Sequence, residues 1–468
     1  MFRATQLQRI LVPGRNILTA AALKESGANV PGVAVTEEGF RLATLPQPTI
    51  WPGLSRIALV INAGSRYELD NKDRGITHLI RRSCGLSTEN FTAVNMCRHF
   101  EQMGARVTCL TTREHMIYTV DCAPNLVVRA GYLLGEMATG PAFYHWELKS
   151  IANKLMLNDI DILNRRNLPA LAMELLHEAA FGLSPSGSGL GHSTFASADR
   201  VGSYSLDQIE KFHQRYFTPE RCTLSLVGTS SNEEGLEVLR EIRSAVHARA
   251  PLAIPKKTGK SHGFVGGDIR RDLCAAPNVT AYIAWPTPGH GPNEVAFDLA
   301  ACLLSGAVGR ISYGGSTTQS YWNPSSTQSD DVQCIGFHKP YEGLGLFGLG
   351  LSGSSASAIN DRLVKIIPSI LGSSMGSKTL AAAKSLYKAN LLMELESPGN
   401  VATDFAVQVS RPGHVYQTVQ DRFVAVDKIS VGEVNSIVQK TLTHPLAAMA
   451  VVGPEAGDIL PLPVLLSA

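Results

Sequence analysis

Two apolar patterns alternate along the chain. One is the short run in which nearly every position is apolar, such as Arg56–Val60 in RIALVINAG. Such a run reads as a short strand. The other places apolar residues at helical spacing, as with Leu206, Ile209 and Phe212. ARVTCLTTREHMIYTVDC reads as two strands joined around Thr112–Glu114, and residues 125–140 and 143–160 read as helices. Strands paired in hairpins beside long helices predict an α+β architecture.

The patterns also repeat. SLDQIEKFHQRYFTPERCTLSLVG, from Ser205 to Gly228, aligns without a gap on SVGEVNSIVQKTLTHPLAAMAVVG, from Ser430 to Gly453. Each opens with a capping-box pair, Ser205 with Gln208 and Ser430 with Glu433. Helical positions match (Leu206/Val431, Ile209/Val434, Phe212/Ile437), and each segment closes in an apolar strand. The same offset places Arg56–Val60 on Ala281–Trp285, and Val107, Cys109 and Leu110 on Val332, Cys334 and Ile335. The expected fold is therefore two homologous halves, each an antiparallel-rich sheet with helices packed against it. The expected boundaries are 1–39 for a leader and flexible start, 40–245 for the first domain, 246–262 for a Pro-, Lys- and Gly-rich linker and 263–468 for the second domain.

Composition narrows the function. A hydrophobic content of 44% with 18% charged residues suits a chain with a large buried core. The balance of 42 basic against 40 acidic residues argues against a broad nucleic-acid surface, so no nucleic-acid partner is expected. The first 24 residues carry Arg3, Arg9, Arg15 and Lys24 and no acid, interspersed with Phe2, Leu7, Ile10, Leu11 and Ile17. That is the composition of a mitochondrial transit peptide. No stretch of apolar residues is long enough to span a bilayer, so membrane association is expected only through partners. The eight cysteines are scattered without a C-x-x-C pair, which suits a reduced compartment.

Several windows invite chemical readings. Gly343-x-Gly345-x-x-Gly348 and Gly348-x-Gly350-x-x-Gly353 match a dinucleotide fingerprint, but glycine alternating with Leu and Phe reads as a strand needing close backbone approach. The loop Gly182–His192 holds Ser184, Ser186, Ser188 and His192 without a nucleophile elbow, and reads as flexible. Glu114 and His115 read as solvated residues at a strand edge.

GITHLIRRS, Gly75–Ser83, falls on the helix after the first apolar strand. Together with AGSRYE (Ala63–Glu68), TREHMIYTVDC (Thr112–Cys122), LHEAAF (Leu176–Phe181), STTQS (Ser316–Ser320) and GLFG (Gly345–Gly348), it resembles the pitrilysin-type metallopeptidases. That family includes the mitochondrial processing peptidase and the core proteins of respiratory complex III. Its active members carry H-x-x-E-H on this helix: two histidines ligate Zn²⁺ and the glutamate acts as base. A further acidic ligand lies some seventy-odd residues on. Here His78 keeps the first position, Arg81 stands where the base belongs and Arg82 where the second histidine belongs. Arginine is always protonated and cannot ligate a cation. The segment Glu147–Leu157 offers no acid at the expected spacing. The expectation is no catalytic residue, no metal ligand and no cofactor, with His78 a packed or surface-bonded histidine.

The resemblance extends to the complex III core-protein branch. The processing peptidase's substrate-recognising subunit has a glycine-dense loop, whereas SGAVGRISYGGSTTQS (Ser305–Ser320) is shorter and poorer in glycine. The resemblance implies a non-catalytic scaffold on the matrix side of the inner membrane. Its partners would be core protein 1, cytochrome b, cytochrome c1 and the Rieske protein. The alternatives are a non-catalytic subunit of a presequence-processing peptidase and a free matrix protein that binds extended peptides.

Overall fold

The structure is a computed structural model. It describes residues 32–467 apart from 38, 46–52, 69–70, 184–186, 230, 247–251, 254–262, 275, 306–331, 373–375 and 412–415. The leader, most of the linker and the Ser316–Ser320 segment lie outside the described residues.

The elements, in chain order, begin with β1 (Gly32–Val35), β2 (Arg41–Leu45), β3 (Ser55–Ile61), α1 (Ile76–Arg82), α2 (Ala93–Gln102), β4 (Arg106–Thr111), β5 (Met116–Cys122) and α3 (Val127–Thr139). A helical turn, His145–Glu147, and a π-helical stretch, Leu148–Ala152, lead into α4 (Asn153–Arg166) and α5 (Leu168–Phe181). Then come α6 (Leu206–Tyr216), β6 (Cys222–Val227), α7 (Asn232–Val246), β7 (Gly267–Asp272), β8 (Val279–Pro288), α8 (Glu294–Ser305), β9 (Val332–Pro340) and β10 (Leu344–Gly353). The chain continues through α9 (Ala356–Gly372), α10 (Ser377–Glu394), α11 (Pro398–Ser410), α12 (Val419–Lys428), α13 (Val431–Leu442), β11 (Ala448–Gly453) and α14 (Leu462–Ser467).

Two sheets form, with strand orders β1-β2-β6-β3-β5-β4 and β7-β11-β8-β10-β9. Without β1 the orders correspond strand for strand. In each sheet a single parallel pair, β2 with β6 and β7 with β11, sits among antiparallel neighbours. This is the mixed α+β repeat the sequence predicts. Both capping boxes form: Ser205 with Gln208 at the start of α6, and Ser430 with Glu433 at the start of α13.

The compact units are interleaved. One comprises the chain up to Asp159 with Thr194–Lys256 and Met393–Thr418, and the other comprises Ile160–Ser193, Lys257–Leu392 and the chain from Val419. The exchanged pieces are helices. In the first unit, α11 from late in the chain lies on β3 and β6. Phe405, Ala402 and Val409 pack there against Ala43, Leu45, Ala58 and Val227. Successive β3 side chains point to opposite faces. Ile57, Leu59 and Ile61 therefore enter the main core while Ala58 and Val60 meet α11 side chains. Two-sided burial is why RIALVI carries no polar alternation. In the second unit α5, from early in the chain, lies on β11 and β8.

The glycine-rich stretch becomes β10. A Cβ at Gly348 would stand 2.0 Å from the Ile283 carbonyl oxygen, and one at Gly350 would meet the Tyr282 ring at 2.4 Å. These glycines serve strand packing, as expected. Two other readings need correction. Ser188, Leu190 and His192 are buried, so the described part of the Gly182–His192 loop is packed. Glu114 and His115 are engaged rather than solvated. Glu114 pairs with Arg66 at 2.6 Å, and His115 Nε2 lies 3.2 Å from the Ser410 hydroxyl.

Candidate functional site

Helix α1 is held at its start by one buried carboxylate. Glu68 follows a 3₁₀ turn at Ser65–Tyr67 that docks on the β4–β5 turn: Gly64 N donates to Glu114 O at 3.1 Å and Arg66 N to Arg113 O at 2.8 Å. A Cβ at Gly64 would lie 2.4 Å from the Arg113 carbonyl oxygen, so this approach requires glycine. The AGSRYE and TREHMIY segments of the sequence thus form one joint. Glu68 accepts from Gly75 N and Thr77 N, both at 2.9 Å, and from the Thr77 hydroxyl at 2.6 Å. The two backbone amides are orphan donors of the first turn, and the helix dipole favours the anion. Burial pushes the Glu68 carboxyl up to about 7, with the three hydrogen bonds working against it.

One turn on, α1 presents His78, Arg81 and Arg82 to Asp159 of α4. His78 is fully buried. Its Nδ1 accepts from the Ala196 backbone N–H at 3.1 Å. The ring proton therefore sits on Nε2, which donates to Asp159 Oδ2 at 2.9 Å. Burial foremost, together with the two nearby guanidinium charges, holds His78 below its usual pKa, so the ring is neutral at pH 7. Arg81 Nη2 donates to Asp159 Oδ2 at 3.0 Å, and its guanidinium lies 5.1 Å from the centre of the Phe195 ring. Arg82 makes a two-pronged pair, Nε to Oδ2 at 2.5 Å and Nη2 to Oδ1. Burial alone would raise the Asp159 carboxyl. The hydrogen bonds from His78 and Arg82, with the charges of Arg82 and Arg81, overrule it and hold the group well below the usual carboxylate range.

Asp159 is the residue sequence reasoning missed. It lies 77 positions after Arg82, within the spacing at which active relatives carry their distant acidic ligand, and two residues past the Glu147–Leu157 window. An acid therefore meets His78, Arg81 and Arg82 two residues beyond the window in which the sequence offered none. The spacing was the signal. The π-helical stretch at Leu148–Ala152 then adds a residue to one turn and re-aims the side chains of α4. Ala152, Met156, Asp159 and Leu163 form the buried face of this helix.

The residues do not fit a divalent metal. Both His78 ring nitrogens are committed, the Asp159 oxygens are occupied by guanidinium donors, and neither arginine can ligate. Among the described residues no three His, Cys, Asp or Glu side chains converge as a metal cluster. Two guanidiniums supply the two positive charges that a bound zinc ion would bring, fixed to the chain.

Comparison with known proteins agrees with this frame. Residues 53–193 match the family described as "Insulinase (Peptidase family M16)", and residues 203–374 match "Peptidase M16 inactive domain". The chain is 28% identical over 440 residues to "Mitochondrial-processing peptidase subunit alpha" of Solanum tuberosum, covering 92% of this chain and 82% of that one. It is 28% identical over 351 residues to "Cytochrome b-c1 complex subunit 2, mitochondrial" of Homo sapiens, covering 74% and 73%. Its fold matches the crystal structure of a protease from Helicobacter pylori with a TM-score of 0.75 at 16% identity, over 92% of this chain and all of that one. Paired domains of one fold, an α1 helix with its facing acid, and family matches across both halves lead to one statement: the chain belongs to peptidase family M16.

Proposed function

We propose that the chain is a non-catalytic core subunit of mitochondrial complex III. It would stand on the matrix side with core protein 1, and support assembly of cytochrome b, cytochrome c1 and the Rieske protein. The observation that carries this reading is the Arg81–Arg82–Asp159 cluster. A hydrolytic M16 site needs an acidic base and free ligand lone pairs, and here cations fill both places. The named relatives among b-c1 complex subunits favour the same assignment. Among the described residues no helix is long and apolar enough to cross a membrane, so attachment would run through partner subunits. The basic, acid-free start of the chain would serve as its transit peptide.

A second reading is the non-catalytic subunit of a presequence-processing peptidase. It is favoured by the longer alignment to the processing-peptidase alpha subunit. Size fractionation of detergent-solubilised mitochondria separates the two. Co-migration with cytochrome b is expected. A soluble dimer of about 100 kDa, twice the 50.2 kDa chain, would replace the first reading by the second.

A further inference from the structure

Beside the cluster lies a hollow of about 760 Å³, bounded by α1, α2, α3 and β4 at the edge of the first sheet. Five of its lining side chains carry sulfur: Cys84, Met96, Cys97, Cys109 and Met137. The whole chain has only 8 cysteines and 10 methionines in 468 residues, so this is a strong local concentration. Two of the five touch and a third lines the same wall. The Cys84 thiol donates to the Met137 thioether sulfur at 3.1 Å, and Cys109, whose thiol burial pushes well above its usual range, faces the same hollow. The three come from separate elements: the turn after α1, the edge strand β4 and helix α3.

We propose that Cys84, Cys109 and Met137 form a three-sulfur binding site for a soft monovalent cation, copper(I). Two thiols and a thioether are a soft donor set, which selects Cu(I) over hard oxygen-seeking ions. Binding would release two thiol protons to solvent and leave two thiolates around one positive charge, a net charge of −1. The guanidiniums of Arg81 and Arg82 line the same hollow and complement that charge. The same guanidiniums disfavour a divalent ion. Cys97 stands apart: it is exposed and bonded to Glu101 at 3.4 Å.

The test uses the purified full chain, reduced and anaerobic, loaded with Cu(I) as its acetonitrile complex in competition with a Cu(I) chelator. The expected result is one copper retained per chain with sulfur-only coordination by X-ray absorption. Even an outer-shell change costs a metal site 10–100-fold, so Cys84→Ser and Met137→Leu should each weaken retention more than about tenfold. Met137→Leu conserves volume and is expected to fold. Cys274→Ser, at an exposed cysteine elsewhere, should change nothing. Three outcomes would overturn the site: no copper held against the chelator, copper held equally by both ligand variants, or zinc(II) displacing copper at equal concentration. None of these depends on whether the chain joins complex III.

Discussion

Asp159 takes four donors from three different side chains, and its side chain is only 9% exposed. Removing one partner of a buried ion network leaves the others unpaired, which costs far more than the network contributes net. Asp159→Asn should therefore lower stability by about 3 kcal/mol in urea unfolding at pH 7. Because its carboxyl is held below the usual 3.8, this stabilisation is present above that pH and is lost only as pH falls towards the depressed value. Glu68 runs the other way. With a folded value near 7 against 4.5, its contribution is full below pH 4.5 and declines as pH rises to 7. Glu68→Gln should flatten that decline, a span of about 3 kcal/mol by linkage. His78, pushed down by burial, stabilises above 6.5 and loses that contribution as pH falls. It is common to parent and variant, so subtracting the two urea-midpoint profiles isolates Glu68. An acid facing His78 also changes what it takes to build a metal site. The double variant Arg81→Glu, Arg82→His would place two imidazoles one helical turn apart, facing Asp159. It should retain one zinc per chain by elemental analysis; failure to do so would mean the Asp159 geometry does not suffice.

At the scale of elements, the repeat makes paired predictions. The N-caps of α6 and α13 have the same geometry, so Ser205→Ala and Ser430→Ala should each cost about 1 kcal/mol. The exchanged helix α11 is a stronger test. Phe405 is fully buried against β2, β3 and β6 residues, and Phe405→Ala should cost about 3–5 kcal/mol in denaturant unfolding. A loss under 1 kcal/mol would show that α11 is not integral to that unit. The strands and capped helices were legible in the sequence because their signals are local: a short apolar run, a capping residue three positions before its partner, an apolar period near 3.6. Glu114 and His115 misread for the opposite reason. Their partners Arg66 and Ser410 lie 48 and 295 residues away, and nothing in TREHMIY announces either.

For the whole molecule, interleaving has a direct consequence. A fragment ending at residue 256 lacks α11 and would expose the Ala43–Ala58–Val227 face of its sheet. It should bind a hydrophobic dye and aggregate, and co-expression with 257–468 should restore solubility; a soluble, cooperative fragment would contradict the exchange. By itself the sequence determined the two-fold repeat, the strand and helix identities, the family and the pair of arginines that follows His78 by one helical turn. All of these are carried by residue type and short-range spacing. Only the tertiary structure decided which sheet each exchanged helix covers, that Asp159 turns inward to meet both guanidiniums, and that three sulfurs from distant segments line one hollow. Amphipathic periodicity states that a face must be buried and is silent on what buries it. A charge or a thiol likewise acquires its partner only when strands and helices far apart in the chain are brought within a few ångströms.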